Sequence, residues 1–136
     1  MTKETFKWNG QIHNLEVGGK WRLDVGCGEN KQDGFIGVDK RNLKLDKFVC
    51  HDIEIFPWPF MNSSCSVILL NHSIEHLKPW LLIDFMNECW RILELEGLLV
   101  VVTPYGTSKR AIQDPTHCNA WVQETVFYFV PGNDLY

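Results

Sequence analysis

The chain is poor in features that would cross-link it, anchor it or draw it to a polyanion. Its five cysteines, Cys27, Cys50, Cys65, Cys89 and Cys118, are odd in number and scattered, with no C-x-x-C. That spacing offers neither a disulfide framework nor a cysteine zinc site, and free thiols fit a reducing, cytoplasmic setting. No run approaches the ~18 apolar residues of a membrane span, and the opening MTKETFKWNGQ lacks the apolar core of a signal peptide. A membrane partner is therefore not expected. Positive charge is also scarce: 13 Lys and Arg against 17 Asp and Glu leave a net charge of −4. Nucleic acid held mainly by phosphate contacts is thus not an expected partner. No internal repeat or low-complexity segment occurs. The 136 residues, 45% hydrophobic and 22% charged, suit a single modest globular domain spanning 1–136.

The most informative stretch is WRLDVGCGENKQDGFIGVDKR, residues 21–41. Leu23, Asp24 and Val25 read as a short buried strand that breaks at Gly26, Cys27 and Gly28. Two glycines one residue apart allow positive φ and close approach of the backbone by a ligand. A second strand, Phe35 to Val38, ends on Asp39. A glycine turn after one strand and an acid at the end of the next place N–H donors and a carboxylate on one edge of a parallel sheet. Open α/β sheets bind nucleotides there, with the acid accepting the two ribose hydroxyls. A nicotinamide dinucleotide fits poorly. The third glycine of G-x-G-x-x-G would fall at Lys31, and Asp39 follows Gly28 by 11 residues, where that pattern wants roughly 20.

The rest of the chain reads as one α/β unit. Asn9-Gly10 between two alternating segments predicts a lead-in hairpin within residues 1–20. Only ENKQDG separates Gly28 from Phe35, too short for a crossover helix. Residues 47–50 form a third short strand, and the Pro57–Pro59 region cannot be helical. Residues 66–70 are the near-continuous apolar run of a central parallel strand. A helix begins near Pro79 and carries Leu82, Phe85, Met86, Cys89 and Leu93 on one stripe. Gly97 is expected to end it, before a fifth strand over 98–102. Residues 104–114 read as loop. Residues 119–130 read as a short helix turning Trp121, Val122, Val126 and Phe129 inward.

In order, LDVGCG, GFIGVD, HDIEIFPWPF, SVILLNHSIEHL and NECWRILELEGLLVVVTP resemble the class I S-adenosylmethionine-dependent methyltransferases. The similarity is to a type 11-like branch with a short link between the first two strands, and it covers about residues 21–130. It implies a Rossmann-like parallel sheet of about five strands, lacking the usual C-terminal antiparallel hairpin. It also implies S-adenosyl-L-methionine as cofactor. By that resemblance Asp24 fixes the glycine loop and the cofactor's amino group, and Gly26, Cys27 and Gly28 meet the methionine part through backbone. Asp39, with Lys40 beside it, would take the ribose. Asp52 and Ile53 would meet the adenine under a loop formed by residues 55–60, and Asn71 and His72 would close the methionine side. Glu75 and His76 would brace that turn. The later D-P-T-H element, Asp114 to His117, would face the pocket from the lid side.

Residues 72–76 also spell H-x-x-E-H, an inverted zinc-protease pattern. They directly follow a buried central strand without an evident partner glutamate on a neighbouring helix, so no metal is expected. Methyl transfer from a sulfonium depends mainly on alignment of acceptor, methyl and sulfur. Where a general base is needed, His72, His76 and His117 are the candidates, because imidazole titrates near neutral pH. The expected activity is methyl transfer to a small-molecule or glycan acceptor. The alternative is a catalytically silent cofactor-binding module or accessory subunit. It is kept in view by the missing hairpin and by Glu94-Leu95-Glu96-Gly97, where the family usually has Lys-Pro-Gly-Gly. An uncovered fifth strand beside an aromatic segment leads us to expect a homodimer.

Overall fold

A computed structural model describes residues 2–8 and 11–132. Strands β1 (Thr2–Trp8) and β2 (Gln11–Val17) form an antiparallel hairpin, with Trp8 opposite Gln11. This is the register that a two-residue turn requires; the turn residues Asn9 and Gly10 lie outside the described residues. The Arg22 guanidinium donates to Glu4, tying the hairpin to the first strand of the main sheet.

That sheet is parallel throughout. It contains β3 (Trp21–Val25), β4 (Ile36–Asp39), β5 (Phe48–Cys50), β6 (Cys65–Asn71) and β7 (Leu93–Val102), in the spatial order β5-β4-β3-β6-β7. The chain leaves β3 toward β4 on one side and returns to β6 on the other. The reversal opens a crevice at the carboxyl ends of β3 and its neighbours, the usual ligand position in open α/β sheets. As expected of a strand covered on both faces, β6 is buried from Cys65 to Leu70. This is the Rossmann-like five-stranded sheet that the sequence implies, and no antiparallel strand joins it among the described residues.

One face carries the main core. Leu23, Val25, Ile68 and Leu70 point toward helix α1 (Leu82–Ile92), which presents Phe85, Cys89 and Ile92, all fully buried. Burying Phe85 and Ile92 stabilises the fold by about 1.5–3 kcal/mol each. Pro79 opens a 3-10 turn, Pro79–Leu81, that leads into α1. This suits a residue with no N–H to satisfy at a helix start. The helix does not run on to Gly97. Leu93 is already extended (φ −71°, ψ 136°) and opens β7. Residues 94–97 bulge out between the Cys65↔Leu93 and Val67↔Leu98 pairs, with Glu96 at φ 64°. The turn at Gly97 is therefore a bulge inside a strand, not a helix stop.

Three further details differ from the sequence expectation. Lys47 takes a left-handed φ of 49° and stands just before β5. Residues 104–114 contain a single helical turn, α2 (Lys109–Ile112), capped by the Ser108 hydroxyl accepting from the Ala111 N–H at 3.3 Å. The segment after it forms a 3-10 helix, Gln123–Phe129, whose Phe129 stacks at 6.0 Å on the preceding Trp121 against the core, while Val126 is 48% exposed. A 3-10 turn repeats every three residues rather than 3.6, so the inward stripe expected of an α-helix drifts outward.

The loop of residues 55–60 also lies deeper than its prolines suggest. Trp58 and Phe60 are buried in the main core, and Trp58 meets Phe85 edge-on at 5.1 Å. Glu88 of α1 accepts the Trp58 backbone N–H at 2.6 Å and the Arg91 Nε at 2.9 Å. Arg91 in turn donates to the carbonyls of Trp58 (3.1 Å) and Phe60 (2.8 Å). A buried loop must satisfy its backbone polar groups, and this charged pair does so.

Candidate functional site at the carboxyl edge of the sheet

The strand registers decide which side chains meet. Asp24 pairs with Gly37 on β4 and with Leu69 on β6. Asp39 and Asn71 lie two residues beyond those partners. Because side chains alternate along a strand, Asp24, Asp39 and Asn71 share one face, at the carboxyl ends of three adjacent strands. This is the face opposite α1.

The short link between β3 and β4 lies over that face. Gly26 and Gly28 adopt positive φ (70° and 59°), which turns the chain sharply off β3. The N–H groups of Gly26 and Cys27 both donate to the Val38 carbonyl, at 2.7 and 3.2 Å. Asp24 anchors the far end of the link, its Oδ2 accepting the Gln32 N–H at 2.8 Å. Gly37 makes room beneath: a Cβ there would stand 2.8 Å from Cys27 Sγ and 2.8 Å from Lys31 Cδ. The missing helix is thus replaced by a strap held from below by a buried carboxylate and seated on a glycine. Burial pushes the Asp24 carboxyl above the ordinary carboxylate range, against the opposing pull of the Gln32 N–H and the Lys31 charge.

Two acceptors at this edge are left over. Asp24 Oδ1 and Asn71 Oδ1 are buried and accept no hydrogen bond. Buried acceptors without donors are costly, and a ligand ammonium entering from the glycine loop would satisfy both. The residues therefore fit the methionine end of S-adenosylmethionine, as the resemblance implies.

Asp39 is a different case. Its Oδ2 accepts the Gly28 N–H at 3.0 Å, and its Oδ1 accepts the Arg41 N–H at 2.9 Å and Nε at 3.2 Å. Desolvation opposes its charge. The Arg41 side chain, then the Arg41 and Gly28 N–H groups, outweigh that and hold the carboxyl below its usual range. Asp39 is thus a carboxylate whose outer side is covered by a mobile type of side chain, the exposed Arg41 guanidinium. Lys40 is exposed next to this pair, its carbonyl facing Cys50 Sγ at 3.4 Å.

Asp52 and Ile53 follow β5. Asp52 Oδ1 accepts the Glu54 N–H at 3.0 Å, and the Ile53 carbonyl accepts the Trp58 indole N–H at 3.0 Å. Both groups hold the loop in place. Burial, then the charges of Asp24 and Asp39, push the Cys27 thiol up to about 11, away from the reactive thiolate.

On the other side of the edge, β6 runs into His72, which takes φ 54°, and a 3-10 turn, Ile74–His76. The buried Ser73 hydroxyl donates to the Val25 carbonyl at 2.9 Å, and a Cβ on Gly26 would fall 2.6 Å from Ser73 Cβ. The histidine-bearing turn and the glycine turn are thus packed against each other. His72 Nδ1 lies 3.4 Å from Glu75 Oε1. His76 and His117, 41 residues apart, stack edge-on at 4.8 Å. Two of the three candidate bases are therefore neighbours, and Glu75 stands beside the third. Sequence reasoning set Lys40 and Arg41 equally beside Asp39 and missed that Arg41 is the one that covers it. It also missed the Glu88–Arg91 clamp, which an i,i+3 charge pair on a helix does not distinguish from a solvated one.

Two large hollows lie elsewhere. One of about 580 Å³ sits at the amino ends of β3 to β5, lined by Trp21, Arg22, Ile36 and Phe48. The other, about 890 Å³, runs between α1, β7 and the 3-10 segment, past Trp90, Leu99, Trp121 and Phe129. Neither contains the glycine loop.

A family model described as "Methyltransferase domain" matches residues 32–101, which is 70 of the 136 residues. No curated protein matches the chain significantly. Among solved structures, a SAM-dependent methyltransferase from Archaeoglobus fulgidus is similar in fold, with a TM-score of 0.68 and 23% identity. The match covers 82% of this chain and 59% of that one, so it spans less than two thirds of that protein's length. With just over half of its length matched by the family model, the chain belongs to the methyltransferase-domain family.

Proposed function

We propose that the chain binds S-adenosyl-L-methionine and transfers its methyl group to a small-molecule or glycan acceptor. The observation that carries this reading is the trio Asp24, Asn71 and Asp39 on one face at the carboxyl edge, with Asp24 Oδ1 and Asn71 Oδ1 buried and unpaired. Asp24 and Asn71 would hold the ammonium end, with the backbone of Gly26, Cys27 and Gly28 alongside. Asp39, released from Arg41, would accept the ribose hydroxyls beside Lys40, and Asp52 and Ile53 would border the adenine. The cofactor supplies an electrophilic methyl on a sulfonium. The chain's own work is to hold the acceptor in line and exclude water, and effective molarity makes that worth several kcal/mol.

His72 and His76 lie on the turn that packs against the glycine loop, and His117 touches His76. They are the groups that would take a proton from an acceptor hydroxyl. A net charge of −4 favours an acceptor that is not a polyanion. The test is calorimetry with S-adenosylhomocysteine. Asp39→Ala should weaken binding by about 2 kcal/mol, roughly 30-fold, the worth of a pair of charge-assisted hydrogen bonds. Unchanged affinity in a variant with native circular dichroism would refute the site.

A further inference from the structure

Glu75 carries its carboxyl in a dry place. Its side chain is 4% exposed, yet its neighbours are the Thr103 hydroxyl, which donates to Oε2 at 3.2 Å, and His72 Nδ1, 3.4 Å from Oε1. The ion pairs of lysine and arginine among the described residues go to other acids. A buried carboxylate in this position calls for a cation. Two imidazoles from different parts of the chain converge on it: one ligand atom each from Glu75, His76 and His117 lie within 4.8 Å of one another.

The hydrogen bonds around the rings fix which nitrogens can ligate. His117 Nδ1 lies 3.1 Å from the Ala111 carbonyl, which can only accept. That nitrogen therefore carries a hydrogen, which leaves Nε2, 3.5 Å from Asp114 Oδ2, as the ring atom able to ligate. Thr116 Oγ1 gives its one hydrogen to Asp114 Oδ1 at 2.7 Å, so toward His76 Nδ1, at 3.1 Å, it accepts. His76 is thus also in the Nδ1–H form with Nε2 bare. Ligating histidines are commonly held this way, the other ring N–H donating to a carbonyl, carboxylate or hydroxyl. A metal ion there would take His117 Nε2 from its Asp114 contact and draw on one atom each of Glu75, His76 and His117.

We propose that Glu75, His76 and His117 form a binding site for a divalent transition metal of the zinc class, with Ala111, Thr116 and Asp114 orienting the two imidazoles. Two nitrogens and one carboxylate with a fourth position open is a common zinc donor set. Zinc bonds of about 2.0–2.1 Å put tetrahedral donors about 3.4 Å apart, so the three atoms must draw together by about an ångström. The loop around Thr116 is exposed and can give that much. The trio differs from the one that H-x-x-E-H suggests: His72 is not among the converging ligands, and His117, supplied by the D-P-T-H element, takes its place. In the methyl-transfer reading, on which this clause alone rests, a bound metal would occupy the His76 and His117 nitrogens, lower the pKa of an acceptor hydroxyl at its open position and leave His72 as the base.

The experiment is equilibrium dialysis of the full chain, made without a histidine tag and stripped with chelator, against micromolar zinc with elemental analysis. One zinc per chain is expected. His117→Ala should weaken binding at least tenfold, and Thr116→Val several-fold through the loosened His76 ring. His51→Ala, whose ring instead meets the Ile55 carbonyl at 2.8 Å, should leave it unchanged. Glu75 is buried, so Glu75→Gln is read only where circular dichroism shows a native fold. His117→Ala, altered on a loop, carries the test without it. Cobalt(II) in place of zinc should give visible absorption in the parent chain and lose it in His117→Ala. Well under one zinc per chain, or binding that His117→Ala does not weaken, overturns the proposal. Both readouts are independent of cofactor binding and of methyl transfer.

Discussion

Glu88 offers a sharp test of what holds the edge of this domain in place. Replacing it by glutamine keeps the shape and removes the charge. In the folded chain the carboxylate accepts from the Trp58 N–H (2.6 Å), Arg91 Nε (2.9 Å) and Arg91 Nη2 (2.5 Å). Hydrogen bonds to a charged group contribute about 1.5–3 kcal/mol against about 0.5–1.5 for neutral ones. Glutamine has one acceptor oxygen and brings an amide N–H₂ toward the guanidinium, so at least one of the Arg91 bonds is lost outright. The expected destabilisation of Glu88→Gln at pH 7 is about 2–3 kcal/mol. Urea unfolding followed by tryptophan fluorescence measures it, since Trp58 sits in the core beside the mutation.

The pH dependence gives a second handle. The Arg91 hydrogen bond, against desolvation and with help from the Trp58 N–H, holds the Glu88 carboxyl below its usual range. A carboxylate with a lowered folded pKa stabilises fully above its unfolded value, about 4.3, and loses that contribution as pH falls through the folded value. The gap between parent and Glu88→Gln should therefore be constant from pH 8 to about 5 and close below about 4. A gap under about 0.5 kcal/mol at pH 7, or one that persists undiminished into strong acid, would refute the clamp.

Other perturbations follow from the same geometry. Gly37→Ala places a methyl 2.8 Å from both Cys27 Sγ and Lys31 Cδ; it should cost about 1–3 kcal/mol and lift the strap. Native stability by urea titration would contradict that. Cys27, with its thiol pushed up to about 11, should resist iodoacetamide at pH 8, while the exposed Cys50 and Cys118 are alkylated first. Peptide mapping by mass spectrometry checks the order, and rapid labelling of Cys27 would be the contrary result. We also propose that the chain self-associates through the free side of β7, which pairs only with β6 among the described residues. Half-exposed Val126, Phe127, Tyr128 and Val130 stand in the nearby segment. Sedimentation at micromolar concentration should show a dimer, and a monomer throughout that range would remove the proposal.

The sequence by itself determined the parts of this protein that rest on neighbouring residues. The break at Gly26, Cys27 and Gly28 is legible because glycine takes positive φ without the steric cost of a Cβ, as both Gly26 and Gly28 do. The central strand is legible because a strand buried on both faces must be apolar throughout, as Cys65 to Leu70 are apart from Ser66. The stripe of Phe85 and Cys89 follows from helical period alone. Tertiary structure decided the rest. Glu88 reads as one more charged helix position until the loop holding Trp58 folds back across 30 residues and needs an acceptor for its N–H. Gly37 reads as a weak spot in a strand until the strap lies on it. Glu75, His76 and His117 become a cluster only because the chain after β7 returns to the turn after β6, where the Cys118 and Asn119 N–H groups donate to the Glu75 carbonyl at 2.8 and 3.1 Å. Backbone preference and hydrophobic period act over a few residues, so they are written locally. Polar satisfaction in a buried place depends on which distant segment arrives there, and the order of strands in the sheet sets that.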